Sequence, residues 1–387
     1  MAHTPSLHFK HLTLALMAAG MLAACGGGDD NGSITPPAPP AVSGIKVLGD
    51  SLSDSGTFGY KFTVQGLDEK GLPVKVWTEV IASNYGQSLC PHYNATSATT
   101  FAANAACHNY AIGGARINPL TAQGLPDTSP KSVITQMEAA HAQGFAANDL
   151  VLLGAGSNDA ADLMEAGIAA LQGSTTEFLM LVGSKVSAEQ LGEIFASNPP
   201  EQALLHAGSV YMEKLASTLA QNVQSKILAQ ADTRVGILNV PPLTKTPLFL
   251  GVLRQISAAL GTENAQKMEA MFETWIRVFN AALSEAVANE SRVALVDFYS
   301  AFADQVASPA KYGYSNVTLP ACGLAQVPDA RLDLCTNTVL SSTIPATETS
   351  SNWWHGYMFS NSFHPTPLGH TQMAKFTQTA LDGKGWK

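Results

Sequence analysis

The chain alternates short, continuous apolar runs with long stretches of helical periodicity. The runs cover residues 45–48, 149–153, 234–240 and 292–298, and the helical patterns cover 74–85, 131–144, 160–171, 201–231, 263–289 and 367–381. A strand that is covered on both faces needs apolar side chains at successive positions, so the runs predict buried parallel strands. Strands that alternate with helices predict a three-layer α/β/α sandwich around a parallel sheet. Ligands of such folds bind beyond the carboxyl ends of the strands.

The first apolar run stops abruptly at Gly-Asp-Ser-Leu, residues 49–52. Gly, Asp and Ser break a strand and offer a helix cap, so Ser51 is predicted on a strand-to-helix turn. A hydroxyl at the carboxyl end of a strand, beside free backbone N–H groups, can attack a carbonyl and have the resulting oxyanion stabilised. The alternative is that these four residues form only an ordinary strand-end turn.

Length and charge limit the classes of protein that the chain can form. Its 387 residues, 46% of them hydrophobic, can bury the core of one large domain. Charged residues make up 13% of the chain and the net charge is −9, with no run of Lys or Arg. Nucleic acid is therefore not an expected partner.

The N-terminal segment has the pattern of an export signal. The apolar run at 12–24 follows a weakly basic start and is too short for a stable membrane span, so 1–24 is predicted to be a signal peptide. Leu-Ala-Ala-Cys at 22–25 resembles a bacterial lipobox, which would place a lipid on Cys25 and anchor the protein to a membrane. Ordinary export with an incidental Cys is the alternative.

Residues 25–44 are rich in Gly and Pro and are predicted to form a flexible tether. A hydrolase domain at 45–387 would follow this tether. The expected location is the bacterial envelope, at the outer membrane if the lipobox is used and periplasmic or secreted if it is not.

Four cysteines remain after Cys25, and an even number in an exported chain favours disulfides. The short sequence separations favour Cys90 with Cys107 and Cys322 with Cys335 among three formal connectivities. Zinc ligation is the competing interpretation, but no Cys-x-x-Cys pattern or nearby His supports it. Residues 303–352, with their cysteines, prolines and Ser/Thr runs, are predicted to form an irregular, disulfide-pinned insertion that borders the crevice at the sheet edge.

Polar residues follow two further buried segments and precede the last helix. Asn-Tyr-Ala-Ile-Gly-Gly-Ala lies at 109–115, Gly-Ser-Asn-Asp at 156–159 and His-Pro-Thr at 364–366. His364 precedes a proline and is therefore predicted on a loop. With 49–52, these four blocks resemble the SGNH, or GDSL, family of serine hydrolases and lipases, in the family's order and over most of the chain.

The resemblance implies a flavodoxin-like α/β/α fold and ester hydrolysis. It implies that Ser51 is the nucleophile and His364 the general base, and that Gly114 and Asn158 join the Ser51 N–H in the oxyanion hole. Serine acyl transfer needs no metal or organic cofactor, so none is expected. The expected substrate is a small-molecule or lipid ester, and the sequence makes no prediction of oligomeric state.

One residue departs from the family pattern. The position three residues before His364, where the family has Asp, is Asn361. Its carbonyl oxygen can orient the imidazole but carries no charge, and Asp to Asn in a serine triad costs about 10⁴ in rate. Three outcomes stay open: Asn361 orients the base of an active enzyme, Glu348 or a residue distant in sequence such as Asp297 supplies the acid, or activity is weakened.

Two further expectations concern Asn361 and a second histidine, His370. On sequence alone, Asn361→Asp is expected to be at least as active as the natural chain. His370, at the start of the last helix, is expected to have a structural or supporting role. The leading hypothesis is a carboxylic ester hydrolase. The alternatives are a non-catalytic or weakened binding lipoprotein on the same fold and an acetyl esterase that acts on a polysaccharide.

Overall fold

The computed structural model describes residues 41–68, 70–119, 128–229 and 232–387. The predicted signal peptide 1–24, Cys25 and all but the last four residues of the predicted tether lie outside these ranges. The predictions for that segment, and the domain boundaries that depend on it, remain predictions.

Eight strands lie in the described chain: β1 Ile45–Gly49, β2 Tyr93–Ala95, β3 Phe101–Ala103, β4 Leu150–Gly154, β5 Arg234–Leu238, β6 Val293–Val296, β7 Asn316–Pro320 and β8 Tyr357–Phe359. The helices there are α1 Trp77–Asn84, α2 Val133–Gln143, α3 Ser157–Leu171, α4 Thr176–Gly183, α5 Ala188–Ser197, α6 Pro200–Asn222, α7 Pro247–Leu260, α8 Thr262–Val287, α9 Phe298–Ala307, α10 Ala321–Leu324, α11 Asn337–Ser342 and α12 Pro367–Gly383.

The central sheet is parallel and has the strand order β1-β4-β5-β6. Segment 108–112 adds to its free edge: the Val47 N–H donates to the His108 carbonyl at 3.0 Å, and the Tyr110 N–H donates to the Val47 carbonyl at 2.8 Å. The spatial order by chain position is therefore second, first, third, fourth, fifth. This is the flavodoxin-like order, whose topological switch point, between β1 and β4, is where ligands bind.

Alternate residues of each strand bury opposite faces of the sheet. Leu48, Val151 and Ile237 belong to the core that contains α2, α3, α6 and α8. Val47 and Leu152 belong to a second core, which contains residues of α1, α9 and α12. Because each strand is covered on both faces, its apolar residues are continuous in sequence. The predicted three-layer α/β/α fold is confirmed.

Several predicted elements have different bounds. The pattern at 201–231 forms α6 and then a π-helical turn, Val223–Leu228. Six helices of the described chain were not predicted: α4, α5, α7, α9, α10 and α11. The segment 303–352 is less irregular than expected, since its first five residues lie in α9 and it contains β7, α10 and α11.

Two disulfides pin the described chain, Cys90–Cys107 and Cys322–Cys335. Both favoured pairings are confirmed. Across the described ranges, no helix has the length and apolar character needed to cross a bilayer.

Candidate active site

The nucleophile candidate lies on a tight turn directly after β1. The Ser53 N–H donates to the Asp50 carbonyl at 3.0 Å, and the Asp50 carboxylate accepts the Leu52 N–H at 3.0 Å. The turn does not lead into a helix as predicted, because the next helix begins only at Trp77. Ser51 is 4% exposed, so its surroundings fix the hydroxyl tightly.

The strand end before the turn is held by a buried glutamine. The Gln136 side chain accepts the Gly49 N–H at 2.8 Å and donates to the Gly49 carbonyl at 3.0 Å. Gly49 itself has a φ of +144°, and a Cβ there would lie 2.3 Å from the carbonyl oxygen of Gly154. Only glycine allows β1 and β4 to end this close together.

His364 reaches the nucleophile turn from the loop before α12. Its Nε2 lies 2.8 Å from the Ser51 Oγ, and its Nδ1 lies 3.0 Å from the Asn361 Oδ1. The structure thus brings together Ser51, His364 and Asn361, which are up to 313 positions apart in sequence. Two aromatic rings flank the imidazole, with ring centroids 5.0 Å away for Phe62 and 5.6 Å away for Phe363.

The orientation of the Asn361 amide follows from its other contacts. Its Oδ1 accepts the backbone N–H groups of Phe363 at 3.0 Å and His364 at 2.8 Å, while its Nδ2 donates to the Asp329 carbonyl at 3.0 Å. If the amide were flipped, its NH2 group would face the N–H groups of Phe363 and His364, and its oxygen would face the Asp329 carbonyl oxygen. The oxygen therefore faces the imidazole, so Nδ1 carries the proton and Nε2 offers its lone pair to Ser51.

Burial lowers the pKa of His364 to about 4, although the Asp329 carboxylate acts in the opposite direction. A neutral imidazole at pH 7 is the form that can accept a proton from a hydroxyl.

The expected oxyanion donors lie on the two neighbouring blocks. The Arg116 Nη1 donates to the Gly114 carbonyl at 2.6 Å, and the Asn158 Nδ2 donates to the Ala115 carbonyl at 2.9 Å. An amide nitrogen carries two hydrogens, so one Asn158 donor remains after that contact. Within the described chain, no protein acceptor binds the N–H of Ser51 or of Gly114. These are donor groups that a substrate oxygen can use.

Two buried carboxylates hold these blocks together and were not singled out from the sequence. Asp54 accepts the Gly113 N–H at 2.9 Å, and Asp159 accepts the N–H groups of Ile117 at 2.9 Å and Asn118 at 2.8 Å. Burial raises the pKa of Asp54, and burial raises the pKa of Asp159 to about 6. Both acids lie within or beside the quoted blocks, and their place in these polar turns at the ends of buried strands was the available signal.

The acids suggested as substitutes for the family's Asp lie elsewhere. The Glu348 Oε1 accepts the Tyr357 hydroxyl at 2.7 Å, and Asp297 caps α9 through the Ser300 N–H at 3.1 Å. Asp329 instead contacts the histidine loop, residues 360–366 between β8 and α12. Its carboxylate accepts the Ser362 N–H and hydroxyl, each at 2.7 Å. No local sequence signal pointed to it.

His370 does not reach the nucleophile. It is fully buried, its Nδ1 accepts the Trp77 N–H at 3.3 Å, and burial lowers its pKa to about 3. It therefore joins α12 to α1 as a neutral side chain, in agreement with the structural role expected for it. Among the residues that the structure describes, no group of three His, Cys, Asp or Glu side chains is arranged to hold a metal ion.

A doubly wound sheet with a Ser–His pair at its switch point is the arrangement of an α/β serine hydrolase. Comparison with known sequences gives the family: the model of the GDSL-like lipase/acylhydrolase family matches residues 45–376, and the chain belongs to this family.

The chain is also similar to individual proteins. It is 25% identical over 361 residues to "Lipase 1" of Photorhabdus luminescens, a match that covers 88% of this chain and 50% of that protein. The chain thus spans about half the length of this curated relative. The extracellular lipase of Streptomyces rimosus is 16% identical, with a TM-score of 0.39, over 87% of this chain and 98% of that one. Phospholipase A1 of Streptomyces albidoflavus is 14% identical, with a TM-score of 0.35, over 88% of this chain and 100% of that one.

Proposed function

We propose that the chain hydrolyses carboxylic esters through an acyl-enzyme on Ser51. The observation that carries the proposal is the 2.8 Å contact between the Ser51 Oγ and a neutral His364 Nε2. As Oγ attacks the ester carbonyl, its proton passes to Nε2, and the imidazolium returns that proton to the departing alcohol. Water then attacks the acyl-enzyme by the same proton transfers, which releases the acid and regenerates the serine.

The oxyanion of each tetrahedral intermediate would be stabilised by three donors: the N–H groups of Ser51 and Gly114 and the remaining Asn158 amide hydrogen. The support is that neither backbone N–H has a protein acceptor within the described chain. One fixed donor of this kind lowers the barrier to acyl transfer by about 2.7–4 kcal/mol.

The immediate surroundings of His364 favour an acyl group with apolar character. Phe62 and Phe363 flank the imidazole. The backbone N–H of Leu248, whose side chain is 41% exposed, donates to the Ser362 carbonyl at 2.9 Å. These side chains offer apolar contact to an acyl chain and little hydrogen bonding to a sugar. A lipid or simple ester is therefore proposed ahead of an acetylated polysaccharide.

The test is a p-nitrophenyl ester series of increasing acyl length, with fluorophosphonate labelling of the wild type and of Ser51→Ala. We expect both turnover and labelling to be lost in Ser51→Ala. Labelling that persists in this variant would refute the assignment of the nucleophile. A folded wild type that is inert toward all the esters and binds a glycan would favour the non-catalytic alternative.

We also propose that the chain is exported and is lipid-anchored through Cys25. The two disulfides support an oxidising compartment. Incorporation of a labelled fatty acid into the wild type and not into Cys25→Ser would support the anchor, and equal incorporation would refute it.

A further inference from the structure

Asp329 lies where the histidine loop meets the loop closed by the Cys322–Cys335 disulfide. It makes three contacts with the histidine loop. Its backbone carbonyl accepts the Asn361 Nδ2 at 3.0 Å, and its two carboxylate oxygens accept the N–H and the hydroxyl of Ser362, each at 2.7 Å. A single residue thus binds the polar groups of two successive positions just before the imidazole.

The backbone contact removes the main difficulty of an Asn at this position. An Asn can present either its oxygen or its NH2 group to a histidine, and the second choice stabilises the wrong tautomer. Here a flip of the Asn361 amide would break its contact with Asp329 and the three N–H contacts that its oxygen accepts from His364 and Phe363. The Asp329 carbonyl therefore helps to fix the tautomer in which Nε2 is unprotonated.

The carboxylate contact addresses the other difficulty, the missing charge. A neutral amide cannot compensate the positive charge that forms on the imidazole during acyl transfer. The Asp329 carboxylate is held beside the histidine loop by the Ser362 N–H and hydroxyl. Its negative charge favours the protonated imidazole, against the opposing effect of burial.

We propose that Asp329 is a positioning residue that takes over, together with Asn361, the work of the family's triad aspartate. Asn361 contacts the imidazole, the Asp329 carbonyl orients that amide, and the Asp329 carboxylate supplies the negative charge. The inference rests on the proposed ester hydrolysis and adds to it a residue from the disulfide-closed loop.

The test compares Asp329→Asn with the natural chain. This substitution keeps the backbone carbonyl and leaves an oxygen and an NH2 group for Ser362, so the loop contacts can persist while the charge is lost. Asp329→Ala removes the side-chain contacts as well. Asp333→Asn is the matched control, since Asp333 lies in the same disulfide loop but pairs with Arg331 at 2.7 Å.

For Asp329→Asn we expect kcat to fall about tenfold at an unchanged KM, because the charge acts on the imidazolium of the transition state. The pH midpoint of the acidic limb of kcat/KM should also move down by about half a unit, since loss of a negative charge lowers a histidine pKa. Product is measured by chromatography, because p-nitrophenol loses its colour in acid. Asp329→Ala should lose at least as much activity, and the control should stay within about twofold of wild type.

A purely structural clamp would not produce the change in pH midpoint. A folded Asp329→Asn with wild-type kcat and an unmoved acidic limb would overturn the inference, and so would an equal loss in Asp333→Asn. The Ser51→Ala variant distinguishes a failure of the role proposed for Asp329 from a failure of the proposed ester hydrolysis. If Ser51→Ala is inactive and Asp329→Asn is normal, only the role of Asp329 fails, whereas an active Ser51→Ala refutes the proposed function itself.

Discussion

Asp54 offers a sharp test of how the candidate site is held together. One carboxylate oxygen accepts the N–H groups of Gly56 at 2.9 Å and Thr57 at 2.7 Å, and the other accepts the Gly113 N–H at 2.9 Å. The side chain is fully buried. It therefore joins the segment after Ser51 to the glycine pair that carries the proposed Gly114 donor.

Asp54→Asn should break only the second of these links. The amide oxygen can still accept from Gly56 and Thr57, but the NH2 group then faces the Gly113 N–H, donor against donor. Loss of a hydrogen bond to a charged acceptor, with a buried N–H left unpaired, costs about 2–4 kcal/mol of stability. Complete loss of an oxyanion donor costs about 10²–10³ in kcat, so a displaced Gly114 N–H should cost about 10–100-fold.

The measurement is kcat and KM on p-nitrophenyl butyrate, together with the free energy of unfolding. We expect kcat to fall while KM stays nearly constant, since the donor acts mainly in the transition state. Asp68→Asn is the matched control: the Asp68 carboxylate accepts the N–H groups of Lys70 and Leu72, both at 2.9 Å, in an exposed turn. A folded Asp54→Asn whose kcat stays within about twofold of wild type would refute the reasoning.

Three further predictions follow from the same contacts. With the pKa of His364 at about 4, kcat/KM at pH 5 should stay within about twofold of its value at pH 7, whereas a pKa of about 6.5 would give a drop of more than tenfold. Removing the 322–335 or the 90–107 disulfide by paired Cys→Ala substitutions should each cost about 3 kcal/mol of unfolding free energy, and only the first should lower kcat; equal kcat values would contradict this. Asn361→Asp, expected from sequence to match or exceed wild type, should give no gain, because Asp cannot donate to the Asp329 carbonyl; a tenfold rise in kcat would contradict this.

The four strands of the central sheet, β1, β4, β5 and β6, could be predicted because burial on both faces leaves an unambiguous apolar run, whereas the short strands β2, β3, β7 and β8 could not. β4, for example, is apolar from Leu150 to Leu153 and every one of these side chains is buried. The helices that escaped prediction have weaker signals. α4 and α5 are 8 and 10 residues long, and α7 is so rich in apolar residues that its helical face is hard to recognise.

The residues of the candidate site likewise include some that the sequence indicates and others that it does not. The turn after a buried strand predicts Ser51 at the carboxyl edge of the sheet, whereas the roles of Gly114 and Asn158 rest on the family resemblance. Asp329 could not be predicted, since its position depends on the path of an irregular loop whose ends are joined by a disulfide. Such a path is set by long-range contacts, in this case to Asn361 and Ser362, that leave no periodic pattern in the sequence.

The loops of this site are joined to one another by polar side chains that accept backbone N–H groups of a neighbouring segment. Asp54 does so for the glycine pair, Asp159 for residues 117–118 and Asp329 for the histidine loop. Each link is a hydrogen bond to a carboxylate, which is shorter and stronger than a neutral one and has a defined direction. Apolar packing alone would leave loops free to shift, whereas proton transfer between Ser51 and His364 tolerates little error in distance. The positions of the reacting groups therefore depend on acids that need not touch the substrate, and their substitution should lower kcat more than it weakens binding.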